Sequence, residues 1–236
     1  MGGMNALKFG TANLEWFLGL EPPEIDLILA AAKLRRFPAG SVMTLQGDPA
    51  DRLMMMWTGR AHYSFETPNG EKVILMWIRP GEVFGASALA SRPSTYLTNT
   101  QAVRDSTVLV WERSEIRSLA KRFPQLLENT ILIAVDYFSW YVTTHTALVS
   151  KTAEERLAQV LFGLAKSIGQ KLSGGIEIDV TNEEVANSAN ITPYTASRIL
   201  SKWQHQNVIR KGRGKILLRS PERFFLRADL SRQVSP

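Results

Sequence analysis

Cysteine does not occur in this 236-residue chain. That absence excludes disulfides, thiolate-bound zinc and cysteine-ligated iron–sulfur clusters, so any redox response would need other chemistry. Histidine is nearly as scarce, with three copies at His62, His145 and His205. A metal enzyme on a cupin-type β-barrel needs two or three imidazoles and a carboxylate converging on one ion. Only His62 lies in the β-rich stretch, so no metal site is expected, and haem would have only His62 or His145 as axial ligand. No Ser/His/Asp set and no P-loop occurs, and no catalytic residues are expected. Long apolar runs are also missing, so nothing is expected to span a membrane. The opening MGGMNALKFGTANLEW lacks the charge, apolar run and small-residue site of a secretion signal, which points to the cytoplasm.

Excess charge of either sign is missing from the first 150 residues, which hold 14 Lys+Arg and 14 Asp+Glu. Residues 151–236 hold 14 and 8, so the whole net charge of +6 lies in the C-terminal third. From Asn190 onward ten basic residues face only Glu222 and Asp229. Such asymmetry fits a polyanion partner.

Within that basic third, Thr181–Trp203 (TNEEVANSANITPYTASRILSKW) reads as two short helices with a turn between them. Thr181 and Glu184 have capping-box spacing, and Asn190 offers a left-handed stop. Thr192 is a good N-cap, and Pro193 suits the first helical position because its missing N–H has no helical partner there. Ala196, Ile199, Leu200 and Trp203 recur at helical spacing and face inward, with Thr195 beside them, leaving Tyr194, Ser197, Arg198, Ser201 and Lys202 outside. This is the pattern of a recognition helix for the DNA major groove. VIRKGRGKILL then makes two short strands around a glycine-rich tip, a wing carrying Lys211, Arg213 and Lys215. Ser220–Pro221–Glu222 starts a last short helix before a disordered tail from Ser231.

The preceding chain reads differently. Residues 11–20 and 24–36 show helical periodicity, and from Arg35 to about Glu112 short apolar or alternating runs are broken by Gly and Pro turns, as in a β-barrel or jelly roll. The Asn69–Gly70 pair marks a hairpin. From Ser114 the pattern returns to helix, with a long segment to Ser150 of roughly 40 Å. Ile133, Tyr137, Trp140, Tyr141, Thr144 and Leu148 form its apolar stripe, which is expected to meet a second copy across a two-fold axis. Thr152 and Glu155 form a further capping box, placing a hinge near 149–152.

The order of barrel, long helix and winged helix-turn-helix resembles the Crp/Fnr family of bacterial transcription regulators over residues 15–225. The resemblance rests on GSVMTLQGDPAD at 40–51, Gly59, PGEVFG at 80–85, AVRDSTVLVWERSEI at 102–116, LLENTI in the long helix, and the helix-turn-helix with NVIRKGRGKILL. It implies a homodimer bound to a pseudo-palindromic DNA site and modulated by a barrel effector, with RNA polymerase as a further partner. The expected fold is α+β: an N-terminal effector-sensing jelly-roll barrel (1–113), a connecting and dimerisation helix (114–151) and a winged helix-turn-helix (152–236).

The resemblance also assigns residues. The effector pocket falls on Gly81, Glu82, Val83, Phe84, Gly85, Ala86, Tyr96, Leu97 and Thr98. Cyclic-AMP-binding members carry a Glu where this chain has Ala86, and Arg-Ser/Thr-Ala where it has Tyr96-Leu97-Thr98. Losing buried charge-assisted partners costs about 2–5 kcal/mol each, so high-affinity cyclic AMP binding is not expected. Met54, Met55, Met56, Trp57, Met76 and Trp77 suggest instead a more apolar effector, or none. For DNA, Pro193 and Tyr194 replace the family's Arg-Glu, while Arg198 matches its retained arginine and is the candidate for guanine O6 and N7. Tyr194 suits a thymine methyl or a phosphate, and Thr192, Thr195 and Ser197 suit phosphate. A competing reading, a ligand-sensing or protein-interaction module whose helix-turn-helix only packs, conflicts with the basic wing and Arg198.

Overall fold

The computed structural model describes residues 14–67, 69, 70 and 72–219. They form two compact units, one from the residues up to Glu66 with Leu75–Trp140, the other from Thr67–Ile74 with the residues from Tyr141 onward. The helix expected from Ser220 and the tail from Ser231 lie outside the described residues, as does the start of the 11–20 segment, of which a 3-10 turn at Glu15–Phe17 is described.

The first unit begins with α1 (Pro22–Ala30) and continues through β1 (Lys33–Phe37), β2 (Val42–Thr44), β3 (Arg52–Glu66), β4 (Lys72–Ile78), β5 (Val83–Phe84) and β6 (Asn99–Glu112). The strands form one six-stranded sheet in the order β1-β6-β3-β4, with β2 on β6 and β5 on β3. Helical periodicity through residue 36 proved too long. Lys33–Phe37 is a strand, paired antiparallel from Lys33↔Val110 to Phe37↔Ser106, because the edge of β6 supplies backbone partners that local spacing cannot reveal.

The continuous apolar run of β3 has a physical reason. Successive strand side chains point to opposite faces, and here both faces are covered. Leu53, Met55 and Trp57 join Leu109 and Trp111 of β6 in a core shared with Trp16, Phe17, Ile25 and Ile28. Met54 and Met56 join Phe84, Val108 and Val110 in a second core. The three consecutive methionines are thus divided between two interiors, and truncating any of them to Ala should cost about 2–5 kcal/mol. Two buried indoles are satisfied: Trp111 Nε1 donates to the Ile28 carbonyl at 2.7 Å and Trp16 Nε1 to Thr130 Oγ1 at 2.9 Å. At Gly59, φ is 97°, and a Cβ would lie 2.6 Å from the Ser106 Cα, so only glycine fits where β3 bulges against β6.

Two further helices follow, α2 (Arg113–Arg122) and α3 (Gln125–Ser150). The second unit adds α4 (Ala153–Ile168), β7 (Gln170–Leu172), β8 (Gly175–Ile178), α5 (Asn182–Ser188), α6 (Pro193–His205), β9 (Ile209–Gly212) and β10 (Lys215–Leu218). Its sheet runs β7-β8-β10-β9. Leu157, Leu161, Val185, Ala196, Leu200, Trp203 and Ile216 bury its three helices against that sheet. The strand β7 was not foreseen: its residues are all exposed, so no burial pattern marks them.

Candidate nucleic-acid interface and effector turn

Helix α5 starts on a full capping box, with Thr181 accepting from the Glu184 N–H and Glu184 returning to the Thr181 N–H. Asn190 then takes the left-handed conformation, φ 49°, and turns the chain. Thr192 caps α6 by accepting from the Thr195 N–H at 3.1 Å, and the two hydroxyls lie 2.9 Å apart. Both threonines are therefore engaged with each other, as well as lying at the helix start where a phosphate would approach. Ala196, Ile199, Leu200 and Trp203 are buried. On the other side Thr192, Pro193, Tyr194 and Arg198 are exposed and Ser197 is half-buried, Tyr194 to 79%. No acidic residue stands in the first turn of α6, unlike those of α4 and α5, so its positive end is not neutralised from within the helix.

The wing is a hairpin of β9 and β10 with register Lys215↔Gly212, and Arg213 is exposed at its tip while Lys211 is half-buried. Two of the basic residues expected at the DNA interface also pair with carboxylates of this unit. Lys202 Nζ is held by the Glu154 carboxylate at 2.9 Å, and Lys215 Nζ by Glu177 at 2.7 Å. Each ammonium meets a carboxylate from a neighbouring element, a pairing that sequence spacing does not disclose.

The effector turn is equally occupied. Glu82 accepts from the Arg79 backbone N–H at 2.9 Å and from Arg79 Nε at 2.7 Å. Its carbonyl and the Gly81 N–H are bonded to Met56 of β3, and Val83 and Phe84 are buried as β5. Gly85 has φ 77°, and a Cβ there would lie 2.7 Å from the Arg52 carbonyl. Ala86, at the position of the family's ribose-binding Glu, is exposed at the start of a 3-10 turn. Tyr96, at the position of the arginine, lays its ring edge 3.3 Å from the Cβ position of Gly85. Its hydroxyl donates to the Arg52 carbonyl and accepts from the Arg52 N–H, both at 3.1 Å. Leu97 points outward at 75% exposure, and the Thr98 carbonyl accepts from Thr44 Oγ1. Arg92 is exposed, and its carbonyl is taken by Arg113 Nη2 at 3.0 Å.

One residue of this site escaped the sequence reading. The phenol of the half-buried Tyr63 on β3 takes a hydrogen bond from the Gly85 backbone. Burial, then the nearby Tyr137, hold that phenol well above its ordinary pKa, and burial followed by Glu82 and Glu15 does the same for Tyr137. Inward parity on β3 was legible for position 63, but nothing in spacing connects it to residue 85. Tyrosines thus lie at both places, Tyr63 beside the Gly85 amide and Tyr96 against the same turn. As for imidazoles, His62 is buried edge-on to Trp77 and His145 is exposed and stacked on Tyr141. No cluster of three metal-ligating side chains occurs among the described residues.

On helix α3 the residues of the expected dimer stripe lie in different surroundings. Ile133 packs against its own barrel core, Tyr137 against Tyr63, and Thr144 and Leu148 are half-buried; only Trp140 and Tyr141 of that set are exposed. The opposite face carries Ile131, Val135, Phe138, Val142 and Val149, all exposed, with His145 completing a four-three heptad spacing. Both sides of this helix are apolar, so periodicity alone cannot say which one faces its own chain.

A barrel carrying a glycine turn, a long helix and a winged helix-turn-helix define a class of DNA-binding regulators. Residues 34–123 match the cyclic nucleotide-binding domain family and residues 155–224 the Crp-like helix-turn-helix domain family. The chain is 23% identical over 214 residues to the CRP-like cAMP-activated global transcriptional regulator of Mycobacterium tuberculosis, covering 90% of this chain and 95% of that one. It is 27% identical over 203 residues to the cyclic AMP receptor protein of Thermus thermophilus, covering 86% and 91%. The solved structure of the c-di-GMP-responsive global regulator CLP of Xanthomonas campestris superposes with a TM-score of 0.76 at 18% identity, over 84% of this chain and 99% of that one. The chain belongs to the Crp/Fnr family: it is a transcription regulator with a helix-turn-helix DNA-binding domain, not an enzyme.

Proposed function

We propose that this regulator acts in the cytoplasm as a homodimer on a pseudo-palindromic operator, modulated by a barrel effector other than high-affinity cyclic AMP. The observation that carries the DNA reading is the two-sided α6: Ala196, Leu200 and Trp203 anchor it while Tyr194 and Arg198 stand exposed. Arg198, one turn in, suits a bidentate contact to guanine, and Tyr194 a thymine methyl or a phosphate. Arg213 and Lys211 of the wing then neutralise backbone phosphates. The heptad stripe Ile131, Val135, Phe138, Val142 and Val149 brings two copies together. A dimer on a promoter would have RNA polymerase as its next partner.

The names of the relatives in which cyclic AMP figures do not carry that ligand over, because Tyr63 and Tyr96 fill the turn that would cradle its phosphate. Selection of duplexes from a random-sequence pool by the purified protein tests the DNA reading. Enrichment of two inverted half-sites, with affinity falling steeply as salt rises, is expected. Salt-insensitive binding, or none, would return the chain to a sensing module whose helix-turn-helix only packs.

A further inference from the structure

We infer that Arg156 and Glu154, in the first turn of α4, form a two-point mount that fixes the recognition helix to the end of α3 and thereby sets the half-site spacing that the dimer accepts. The inference rests on the proposed reading of α6 as the DNA-reading helix of a homodimer. Arg156 reaches three backbone carbonyls. Its Nη1 donates to Lys151 at 2.9 Å, its Nε to Ala189 at 3.1 Å and its Nη2 to Asn190 at 3.3 Å. Lys151 prolongs α3, since its N–H still bonds the Ala147 carbonyl at 3.0 Å. Ala189 ends α5, and Asn190 is the left-handed turn residue just before the Thr192 cap. One cation thus joins the terminal carbonyls of two helices, where helix dipoles favour positive charge.

Glu154 holds the C-terminal part of α6. Its carboxylate accepts from Trp203 Nε1 at 2.9 Å and pairs with Lys202 Nζ at 2.9 Å. Trp203 is buried, so this end of α6 is anchored by packing as well as by charge. Arg156 ties down the turn that leads into α6 and Glu154 ties down side chains near its C-terminal end, so the helix is restrained at two points rather than one. In a symmetric dimer the spacing of the two recognition helices must match the separation of the half-sites along the duplex. A rigid mount makes that match strict.

Lysine cannot replace Arg156 here, because one ammonium lacks the planar fork that reaches three carbonyls at once. The test uses the full chain and duplexes enriched by the wild-type protein, rebuilt with the half-sites moved by one or two base pairs. The wild type should lose about tenfold or more per base pair of change, since each step also rotates one half-site about the duplex axis. Arg156→Lys should bind the native spacing several-fold more weakly and flatten the spacing penalty, with affinity for an isolated half-site unchanged. An unchanged spacing penalty, or an equal loss on the isolated half-site, would overturn the inference.

A second measurement needs no DNA. The cysteine-free chain allows a spin label at Gln204→Cys, an exposed position on α6. The label-to-label distance in the dimer should be narrowly distributed with Arg156 in place and broad in Arg156→Lys or Glu154→Gln. Equal widths would defeat the mount even if DNA binding holds. Narrow and broad distributions as expected, with no duplex enriched, would defeat the DNA reading alone.

Discussion

Tyr63 on β3 and Tyr137 on α3 meet edge to face, with ring centroids 6.4 Å apart. The phenol that takes the Gly85 amide is therefore covered by the long helix, and strand, glycine turn and helix are joined through side chains of the chain itself. Such an aromatic pair contributes about 0.5–1.5 kcal/mol beyond its buried area.

From this follows a thermal prediction. A ligand at 100 times its dissociation constant stabilises a protein by about 2.7 kcal/mol. Millimolar cyclic AMP should leave the melting temperature of the wild type unchanged. The triple variant Tyr63→Phe, Ala86→Glu, Tyr96→Arg releases the Gly85 amide and supplies an acceptor and a cation, and should gain several degrees. A wild-type shift would mean that another cation reaches the turn.

The dimer stripe predicts a mass. Phe138 is 66% exposed and central in the stripe, so Phe138→Asp places a charge in the proposed interface without touching the barrel core. Light scattering should give about twice the 26.4 kDa of one chain for the wild type and a single chain for the variant. A Phe138→Asp protein that stays dimeric would move the interface elsewhere.

The two classes of basic contact should separate in binding assays. Arg198→Ala is expected to cost roughly 1–3 kcal/mol and to relax preference at one base pair in each half-site. Arg213→Ala should weaken all sequences alike and reduce the salt slope by about one unit per site. If Arg198→Ala also weakens every sequence equally, Arg198 is a phosphate clamp.

A pH dependence belongs to the cap of α4. The Thr152 backbone N–H, then its hydroxyl, hold the Glu155 carboxyl below its ordinary value of 4.5. A carboxylate with a depressed folded pKa contributes stability that is present above the unfolded value and lost as pH falls through the folded one. Melting temperatures of wild type and Glu155→Gln should therefore differ at neutral pH and converge as pH drops below about 4. A gap that persists in acid would show that the charge is not what stabilises this cap.

The local elements were legible because their signals are local. Thr152, Thr181 and Thr192 each cap the helix that their spacing marks, and Asn190 turns where its side chain and left-handed tolerance allow. The wing strands close around Lys211–Gly214 as the glycines require. What the local signals did not disclose has one cause in common. Lys202 and Lys215 are held by Glu154 and Glu177, which are 48 and 38 residues away in the chain. Lys33–Phe37 is a strand only because β6 lies beside it.

By itself, the sequence determined the caps, the inward face of α6, the glycines at left-handed positions and the concentration of positive charge in the last third. Each of these follows from a few neighbouring residues or from composition. Only the tertiary structure decided which side of α3 is covered by its own barrel, that Tyr63 takes the Gly85 amide, and that Arg156 joins Lys151 to the turn at Ala189 and Asn190. Those depend on distances between residues far apart along the chain, and packing sets such distances, whereas helix and strand periodicity repeats over only a few residues.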